Sequence, residues 1–118
     1  MAYVDGFVAA VPTANKEAYR KHAAEAAVFF KRHGAVQIME CWGDDVPKGK
    51  LTDFYGAVQA KDDETVVFAW VVWPNRAARD AGNEKVFADM QAAGAEMSEM
   101  PFDGKRMIFG GFDGIVEV

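Results

Sequence analysis

One stretch near the middle of the chain constrains the fold more than any other. Residues 65–73, Thr-Val-Val-Phe-Ala-Trp-Val-Val-Trp, are β-branched, aromatic or alanine at every position, and Pro74 ends the run. β-branched and aromatic side chains favour strands, and a strand that is apolar at both alternating sets of positions is typical of one covered on both faces. We therefore expect a sheet whose two faces are both buried.

Only two segments have the composition and spacing of long helices. The first, 16–32, is rich in Ala, Glu and Lys and repeats apolar residues every three or four positions, at Tyr19, Ala23, Ala26 and Phe30. The second follows Asn75 as its cap and ends at Gly94, with a weak point at Gly82-Asn83 where Asn83 could cap a separate segment. Two helices cover one face of a small sheet, so the other face needs another cover, most simply a second copy of the chain.

The other segments complete the order β-α-β-(β)-β-α-β. Thr13 or Asn15 is the expected cap of the first helix. Further strands are predicted at 3–11, 35–42 and 105–112, with 115–118 as an extension. The segment 53–60 is predicted either as a strand that could form a hairpin with 64–73 or as a resumption of the second strand. Two interleaved strand–helix–strand units give an α+β, ferredoxin-like βαββαβ fold, with both helices on one face of an antiparallel sheet. The candidates for its bare apolar face are Phe7, Ile38, Phe68, Trp70 and Phe109.

Composition and charge exclude several classes of protein. The 118 residues are 51% hydrophobic and 26% charged, which predicts one folded domain over 1–118 rather than a disordered chain. The net charge of −5 and the lack of a basic cluster argue against nucleic-acid binding. Cys41 is the single cysteine, and no segment has the apolar length of a signal peptide or a membrane span. We expect a cytoplasmic protein that does not contact membranes.

Three blocks of sequence resemble a known family. They are Glu40-Cys41-Trp42-Gly43-Asp44-Asp45-Val46-Pro47, then Trp73-Pro74-Asn75-Arg76 with Arg79-Asp80, and Met100-Pro101-Phe102-Asp103-Gly104-Lys105-Arg106-Met107-Ile108. In this order they resemble the YbaA-like domain of unknown function, an uncharacterised family of short bacterial proteins, over nearly the whole chain. The resemblance implies a dimeric α/β barrel, in which two ferredoxin-like subunits pack sheet to sheet.

The resemblance implies no established activity and no catalytic residues. The wider superfamily includes cofactor-free monooxygenases, isomerases, haem-handling enzymes and ligand sensors, and a shared fold does not choose among them. The site must therefore be argued from individual side chains.

Two carboxylates, Glu40 and Asp5, lie inside otherwise apolar strands and are the first candidates for catalysis. A carboxylate that points into a dry cavity has a raised pKa and can act as a general acid or base. The alternative is a carboxylate at a strand edge or in an ion pair with Arg76, Arg79 or Arg106, which would make it structural.

Aromatic side chains are the candidate ligand contacts. Trp42, Trp70 and Trp73 could line a cavity for an aromatic or lipophilic ligand, with Arg76 as a charged contact, and the alternative for the tryptophans is a subunit interface. Arg76 and Arg79 precede Asp80 on the second helix, so an ion pair also accounts for them.

No metal, flavin or nucleotide motif is present, so we expect no cofactor. His22 and His33 are about 16 Å apart along one helix and cannot share one metal ion. His33 beside Gly34 could offset the helix dipole, and Cys41 is typical of an inert, buried thiol. Gly110-Gly111 lacks the Lys-Ser/Thr and the following helix of a nucleotide loop.

These patterns favour a cytosolic homodimer that binds a small organic ligand in a pocket between the sheet and the helices. The alternative is a cofactor-independent monooxygenase or isomerase that acts on an aromatic or enolisable substrate. It would need a carboxylate or histidine and a positioning group that converge on one cavity. A third interpretation is a structural dimer without a pocket.

Overall fold

The structure is a computed structural model that describes all of residues 1–118. Its helices and strands, in chain order, are β1 (Tyr3–Pro12), α1 (Lys16–Arg32), β2 (Gln37–Trp42), α2 (Phe54–Ala57), β3 (Glu64–Trp73), α3 (Arg76–Ala93) and β4 (Ile108–Asp113). No helix combines the length and the hydropathy that a membrane crossing requires.

The four strands form one sheet in the order β2-β3-β1-β4, and all neighbours are antiparallel. The two halves of the chain, β1-α1-β2 and β3-α3-β4, interleave so that β1 and β3 lie side by side in the centre. This is the predicted ferredoxin-like α+β fold, and the prediction is confirmed.

One face of the sheet packs against α1 and α3. Every second residue of β3 from Val67 to Trp73 is buried there, and Trp73 is fully buried. The ring of Phe30 from α1 meets Trp73 edge to face, with 6.3 Å between the ring centroids. The predicted apolar stripe of α1 thus faces the sheet, because its residues recur once per helical turn.

The opposite face of the sheet is largely open, as predicted, but the residues on it differ from the prediction. Phe68 and Trp70 are on this face, whereas register places Phe7, Ile38 and Phe109 on the helix-facing side, opposite Ala69, Val71 and Phe7 respectively. Period-two alternation does not say which set of side chains faces the helices, so the error was one of register. The remaining apolar side chains of the open face are Val4, Val8, Val72, Ile108 and Phe112.

The segment 53–60 is not a strand, and it forms no hairpin with β3. Asp53 begins the short helix α2, since its Oδ1 accepts a hydrogen bond from the Gly56 N–H at 2.7 Å and its Oδ2 accepts one from the Gly49 N–H at 3.0 Å. Val58 then packs with Val66 and Ala10 over one end of the open face. The capping hydrogen bonds override the strand propensity of the apolar residues.

Neither predicted cap of α1 acts as one. The Thr13 Oγ1 lies 2.8 Å from the Thr65 Oγ1, and the Asn15 amide donates to the Pro101 carbonyl at 2.9 Å. A turn of 3-10 helix over 13–15 leads into α1 instead. Tertiary hydrogen bonds have taken the polar atoms that would otherwise cap the helix.

Helix α3 is continuous through Gly82-Asn83, so the predicted break is wrong. Asn75 caps it as predicted, because its Oδ1 accepts from the Ala78 N–H at 2.8 Å. A Cβ on Gly82 would collide with the Trp73 ring and lie 2.8 Å from the His33 carbonyl oxygen. The glycine therefore allows close helix–sheet packing rather than ending the helix.

The last strand begins at Ile108 rather than Lys105, and 115–118 does not extend it. Asp103 accepts from the Lys105 N–H at 3.0 Å and starts a 3-10 turn over 104–106. Arg106 then pairs with Glu64 of β3, with both guanidinium NH groups 2.7 Å from the two carboxylate oxygens. The paired ends of Glu64 and Arg106 fix this turn against the sheet.

Candidate functional site

A crevice opens between α1 and the strand β2, on the helix side of the sheet. It consists of two adjoining cavities that share lining residues, of about 300 Å³ and about 150 Å³, and we call them the outer and inner parts of the α1 crevice. Both parts are lined by Tyr19, Ala23, Ala27, Ile38 and Glu40. The small alanines of α1 leave this space, because a larger side chain there would fill it against β2.

Glu40 is the charged group at the wall of the α1 crevice. It lies opposite Ala69 on the edge strand β2, and its Oε1 accepts a hydrogen bond from the Tyr19 hydroxyl at 2.5 Å. No arginine or lysine forms an ion pair with Glu40. The three arginines that were its possible partners pair with other carboxylates: Arg76 with Asp80, Arg79 with Asp5 and Arg106 with Glu64. The carboxylate is held by a phenol rather than by a cation.

The environment of Glu40 makes ionisation of its carboxyl less favourable than in water. Although the residue as a whole is exposed at the sheet edge, its carboxylate lies among the apolar side chains of the crevice, and this desolvation raises the pKa of Glu40. The hydrogen bond from Tyr19 and the charge of a protonated His22 offset only part of the rise. Burial, followed by the negative charge of Glu40, also raises the pKa of the Tyr19 hydroxyl. The pair can therefore hold or exchange a proton nearer to neutral pH than an exposed carboxylate.

The ring of Tyr19 is fixed by two aromatic neighbours. The centroid of Trp42 lies 6.2 Å away and that of Phe102 lies 5.7 Å away, both at tilted angles. Lys16 extends over the other side of the Trp42 ring, with its Nζ 5.7 Å from the centroid. Aromatic packing therefore holds the hydroxyl toward Glu40.

His22 reaches the inner part of the same crevice. Its Nδ1 lies 3.2 Å from the Ser98 carbonyl oxygen, and since a carbonyl can only accept, Nδ1 carries the proton. Glu25 holds Ser98 in turn, accepting from its N–H at 2.9 Å and its hydroxyl at 2.7 Å. These two hydrogen bonds lower the pKa of Glu25. The network fixes the ring of His22, and in the neutral ring it leaves Nε2 as the acceptor.

Asp5, the second predicted carboxylate, lies in a different place and is enclosed in a network. Its oxygens accept from Arg79, at distances down to 2.8 Å, from the Trp73 indole at 3.1 Å and from the Asn83 amide at 3.3 Å. The side chain is 8% exposed. This is the geometry of the ion-pair alternative, and it leaves no open lone pair directed at a cavity.

The three predicted ligand contacts do not meet at one site. Trp42 lines the α1 crevice, Trp70 lies on the open face with its indole N–H 3.1 Å from the Gln37 Oε1, and Arg76 is exposed on α3, 3.6 Å from Asp80. Trp73 belongs to the core. Of the predicted contacts, only Trp42 lies beside Glu40.

The remaining candidate residues, His33 and Cys41, lie in surroundings that are typical of structural residues. The Nε2 of His33 lies 2.6 Å from Asp89, so this histidine joins α1 to α3 instead of only facing the helix dipole. Cys41 is half-buried rather than buried. No cluster of three or more His, Cys, Asp or Glu side chains has the geometry of a metal site.

A second, shallower groove of about 640 Å³ runs across the open face of the sheet. Its walls are almost wholly apolar, and Phe68, Ile108 and Phe112 are 43%, 45% and 63% exposed. The groove presents no titratable group, so it has the character of a contact surface rather than of a reactive site.

Sequence reasoning missed the partners of Glu40. Tyr19 was counted only as an apolar residue of α1, and His22 only as a surface or partly buried helix residue that cannot share a metal ion with His33. The available signal was that Tyr19, His22 and Ala23 share one face of α1, the face that also carries Phe30 toward the sheet. A polar group on such a face must find a partner in the layer beneath it.

Comparison with known proteins places the chain among uncharacterised relatives. The YbaA protein of Escherichia coli strain K12, described as uncharacterized, is 54% identical over 118 residues, which is 99% of each chain. The YbaA protein of Shigella flexneri matches with the same identity and coverage.

A solved structure of unknown function shows the same architecture at low sequence identity, and a second structure matches with a lower score. The NE2512 protein of unknown function from Nitrosomonas europaea has a TM-score of 0.50 at 12% identity, with 100% of this chain and 94% of that chain covered. SnoaB, a cofactor-independent oxygenase from Streptomyces nogalater, has a TM-score of 0.47 at 18% identity, with 99% and 94% covered. At these identities the likeness concerns the fold alone.

The model of one family matches residues 2–104, which include β1, α1, β2, β3 and α3. Together with relatives that are 54% identical over the whole length, this match decides the family. The chain belongs to the family described as protein of unknown function (DUF1428), which the resemblance to YbaA-like proteins had indicated.

Proposed function

We propose that the protein binds a small organic ligand in the α1 crevice, beside Glu40. The observation that carries the proposal is the Glu40–Tyr19 pair, a carboxylate without a cation at the wall of an apolar crevice. Placing a charge among apolar atoms costs stability unless it is paired, so a purely structural role does not account for it. Polar groups that converge on an apolar concave site are typical of ligand pockets.

The size of the crevice suits a small ligand. About 300 Å³ is at the lower end of the range for small-molecule sites, enough for one or two rings. Its outer wall is made by Ala24, Ala27 and Trp42, whose apolar surfaces would cover the body of such a ligand.

The alternative function is a cofactor-independent monooxygenase or isomerase that acts on an aromatic or enolisable substrate. Three titratable side chains, Tyr19, His22 and Glu40, line the same cavity, as general acid–base catalysis requires. A carboxyl with a raised pKa beside a histidine that has an open nitrogen could move a proton between two atoms of a bound molecule.

We also propose that two copies pair through the open sheet face, as homodimers in the cytosol. A contiguous apolar groove that includes Phe68, Trp70 and Phe112 lies open on this face, and an exposed apolar surface of this kind is typical of a protein–protein contact. A second sheet placed on it would bury these side chains while leaving the α1 crevice on the outer side. The two proposals therefore do not compete for one surface.

The ligand proposal is tested with indole as a probe, by following backbone amide shifts in two-dimensional NMR. We expect saturable shifts confined to α1 and β2. The Ala24→Trp variant fills the crevice from an exposed position of α1 and should abolish these shifts without disturbing the core.

The matched control is Ala92→Trp, which adds the same ring at an exposed position of α3, away from the crevice. It should bind indole as the original chain does. Saturable shifts that map to the open face, or shifts that persist in Ala24→Trp, would overturn the proposed site.

A further inference from the structure

In the inner part of the α1 crevice, the polar side-chain atoms other than the Tyr19 hydroxyl are hydrogen-bond acceptors, whereas the donors Lys16 and Arg20 line the outer part. The Glu40 Oε2 makes no hydrogen bond within the protein, and neither does the His22 Nε2, which is the acceptor of the neutral ring when Nδ1 donates to Ser98. The His22 Nε2 is not sealed from solvent, because no residue that is buried or half-buried has a buried polar side-chain atom without a partner. Glu40 is an exposed residue at the sheet edge. The Tyr19 hydroxyl already donates its hydrogen bond to Glu40, so it has none to donate to a ligand.

Two acceptors in one cavity select a ligand that donates. A ligand hydroxyl can donate to Glu40 Oε2 or to His22 Nε2, whereas a ligand carbonyl would meet lone pairs. A binding site built from hydrogen-bonding atoms discriminates strongly against an analogue that lacks the complementary group, because its own polar atoms are then left unpaired.

The charged side chains around the crevice restrict the class of ligand further. Lys16 and Arg20 line its outer part and disfavour a cation, while the Glu40 carboxylate disfavours an anion. Arg20 remains positive although it pairs with Glu17 at 3.0 Å. The favoured ligand therefore carries its donors without a net charge.

The apolar side chains of the walls indicate the chemistry of the non-polar part of the ligand. Phe30, Phe102 and Ile38 line the inner part, and Trp42 and Ala27 line the outer part. Aromatic rings prefer offset-stacked or edge-to-face contacts with such side chains. An aromatic body satisfies these walls with few rotatable bonds to order on binding.

From this arrangement we infer that the α1 crevice recognises a neutral aromatic compound bearing hydroxyl groups, with Glu40 and His22 as the acceptors. The inference rests on the proposed function of the crevice and names its ligand class. His22 is given a binding role that its position on α1 did not suggest, and the Glu25–Ser98 network acts as its positioning group.

The test compares 1,2-dihydroxybenzene with 1,2-dimethylbenzene, in which methyl groups of similar size replace the hydroxyls. Binding is measured by NMR titration of the α1 and β2 amides. We expect the dihydroxy compound to bind about tenfold more tightly, as one to two neutral hydrogen bonds would give. Equal affinities would overturn the inference while leaving the proposed ligand site intact, and failure of both to bind would overturn the site itself.

Benzylamine, a cation at neutral pH, provides a further arm. If it binds more tightly than 1,2-dihydroxybenzene, the crevice selects positive charge and the inferred class is wrong.

The His22→Asn variant isolates the histidine acceptor. An Asn amide can occupy the place of Nδ1 and still donate to the Ser98 carbonyl, but it has no atom at the position of Nε2. The preference for the dihydroxy compound should fall by at least about threefold. His33→Asn is the matched control, because His33 lies at the α1–α3 contact with Asp89, and it should keep the full preference. An unchanged preference in His22→Asn would exclude His22 as a ligand contact.

Discussion

The Tyr19 hydroxyl and the Glu40 carboxylate meet across the gap between α1 and β2 at 2.5 Å. The contact joins an edge strand to the helix that covers it, at the wall of an apolar crevice that also contains titratable groups. The fold therefore places a proton-sharing pair where a small molecule could reach it.

Glu40→Gln should be nearly neutral for stability. Because folding raises the pKa of Glu40, this carboxyl favours the folded state most below its unfolded pKa, and that contribution is lost as pH rises through the folded pKa. At neutral pH the variant should therefore change the free energy of unfolding by less than about 1 kcal/mol, as measured by urea denaturation. A loss of several kcal/mol would identify Glu40 as a structural residue.

Trp70→Glu should dissociate the proposed dimer. Trp70 lies in the apolar groove of the open face, and an unpaired carboxylate in an apolar interface costs several kcal/mol by order of magnitude. Multi-angle light scattering should give a dimer mass for the original chain at micromolar concentration and a monomer mass for the variant. Phe87→Glu is the matched control, since Phe87 is 69% exposed on α3, and it should remain dimeric. A monomer mass for the original chain would contradict the proposed assembly.

Glu64→Gln should destabilise the protein in a pH-dependent way. The hydrogen bonds from Arg106 lower the pKa of Glu64 to about 2, and its side chain is only 4% exposed. A lowered folded pKa stabilises the protein above the unfolded pKa of about 4, and this contribution disappears as pH falls through about 2. We expect a loss of about 2 kcal/mol at neutral pH, which shrinks toward zero in acid.

The control for Glu64 is Glu17→Gln. Glu17 and Arg20 form an exposed pair on α1, at 77% and 67% side-chain exposure, and such pairs contribute little. Chemical denaturation of both variants at several pH values checks the prediction. An equal and pH-independent effect in the two variants would show that Glu64 is not held as inferred.

Gly82→Ala should destabilise the protein although it lies inside a helix. Alanine usually favours an exposed helix interior over glycine by about 1 kcal/mol. Here the added Cβ would collide with the Trp73 ring and lie 2.8 Å from the backbone oxygen of His33, which cannot move away cheaply. Overpacking should reverse the sign and cost about 1–3 kcal/mol in thermal or urea unfolding. A stabilised variant would show that α3 can move away from the sheet.

The fold could be predicted because its strongest signals are local and agree with one another. The apolar run that became β3, the helix at 16–32 and the Asn75 cap each fix an element independently of the others. The errors fall where a tertiary contact overrides the local signal, as at Gly82 beneath Trp73 or at Asp53, which begins α2. Such contacts join residues that are far apart in the chain, and they have no local signal in the sequence.

The candidate site could be predicted only in part. Glu40 stands out in the sequence as a charge in an apolar strand, but its partner Tyr19 is 21 residues away, and nothing in the spacing joins them. The neighbouring sequence could not test the prediction that Arg76 contacts a ligand either, because the surroundings of Arg76 depend on how α3 packs on the sheet. Contacts that form only when a helix packs on a sheet can be identified once the register of the strands is known.

The central claim is that the Glu40 carboxyl is a functional group without a cationic partner, and its titration tests this most directly. The measurement follows the carboxyl carbon of Glu40 by NMR as a function of pH, with Glu40→Gln to assign the signal. The structure predicts a pKa above the ordinary value of 4.5, accompanied by a shift of the Tyr19 ring signals at the same midpoint. A pKa below 4.5 would mean that a cation or a set of donors holds the carboxylate, and it would contradict the account.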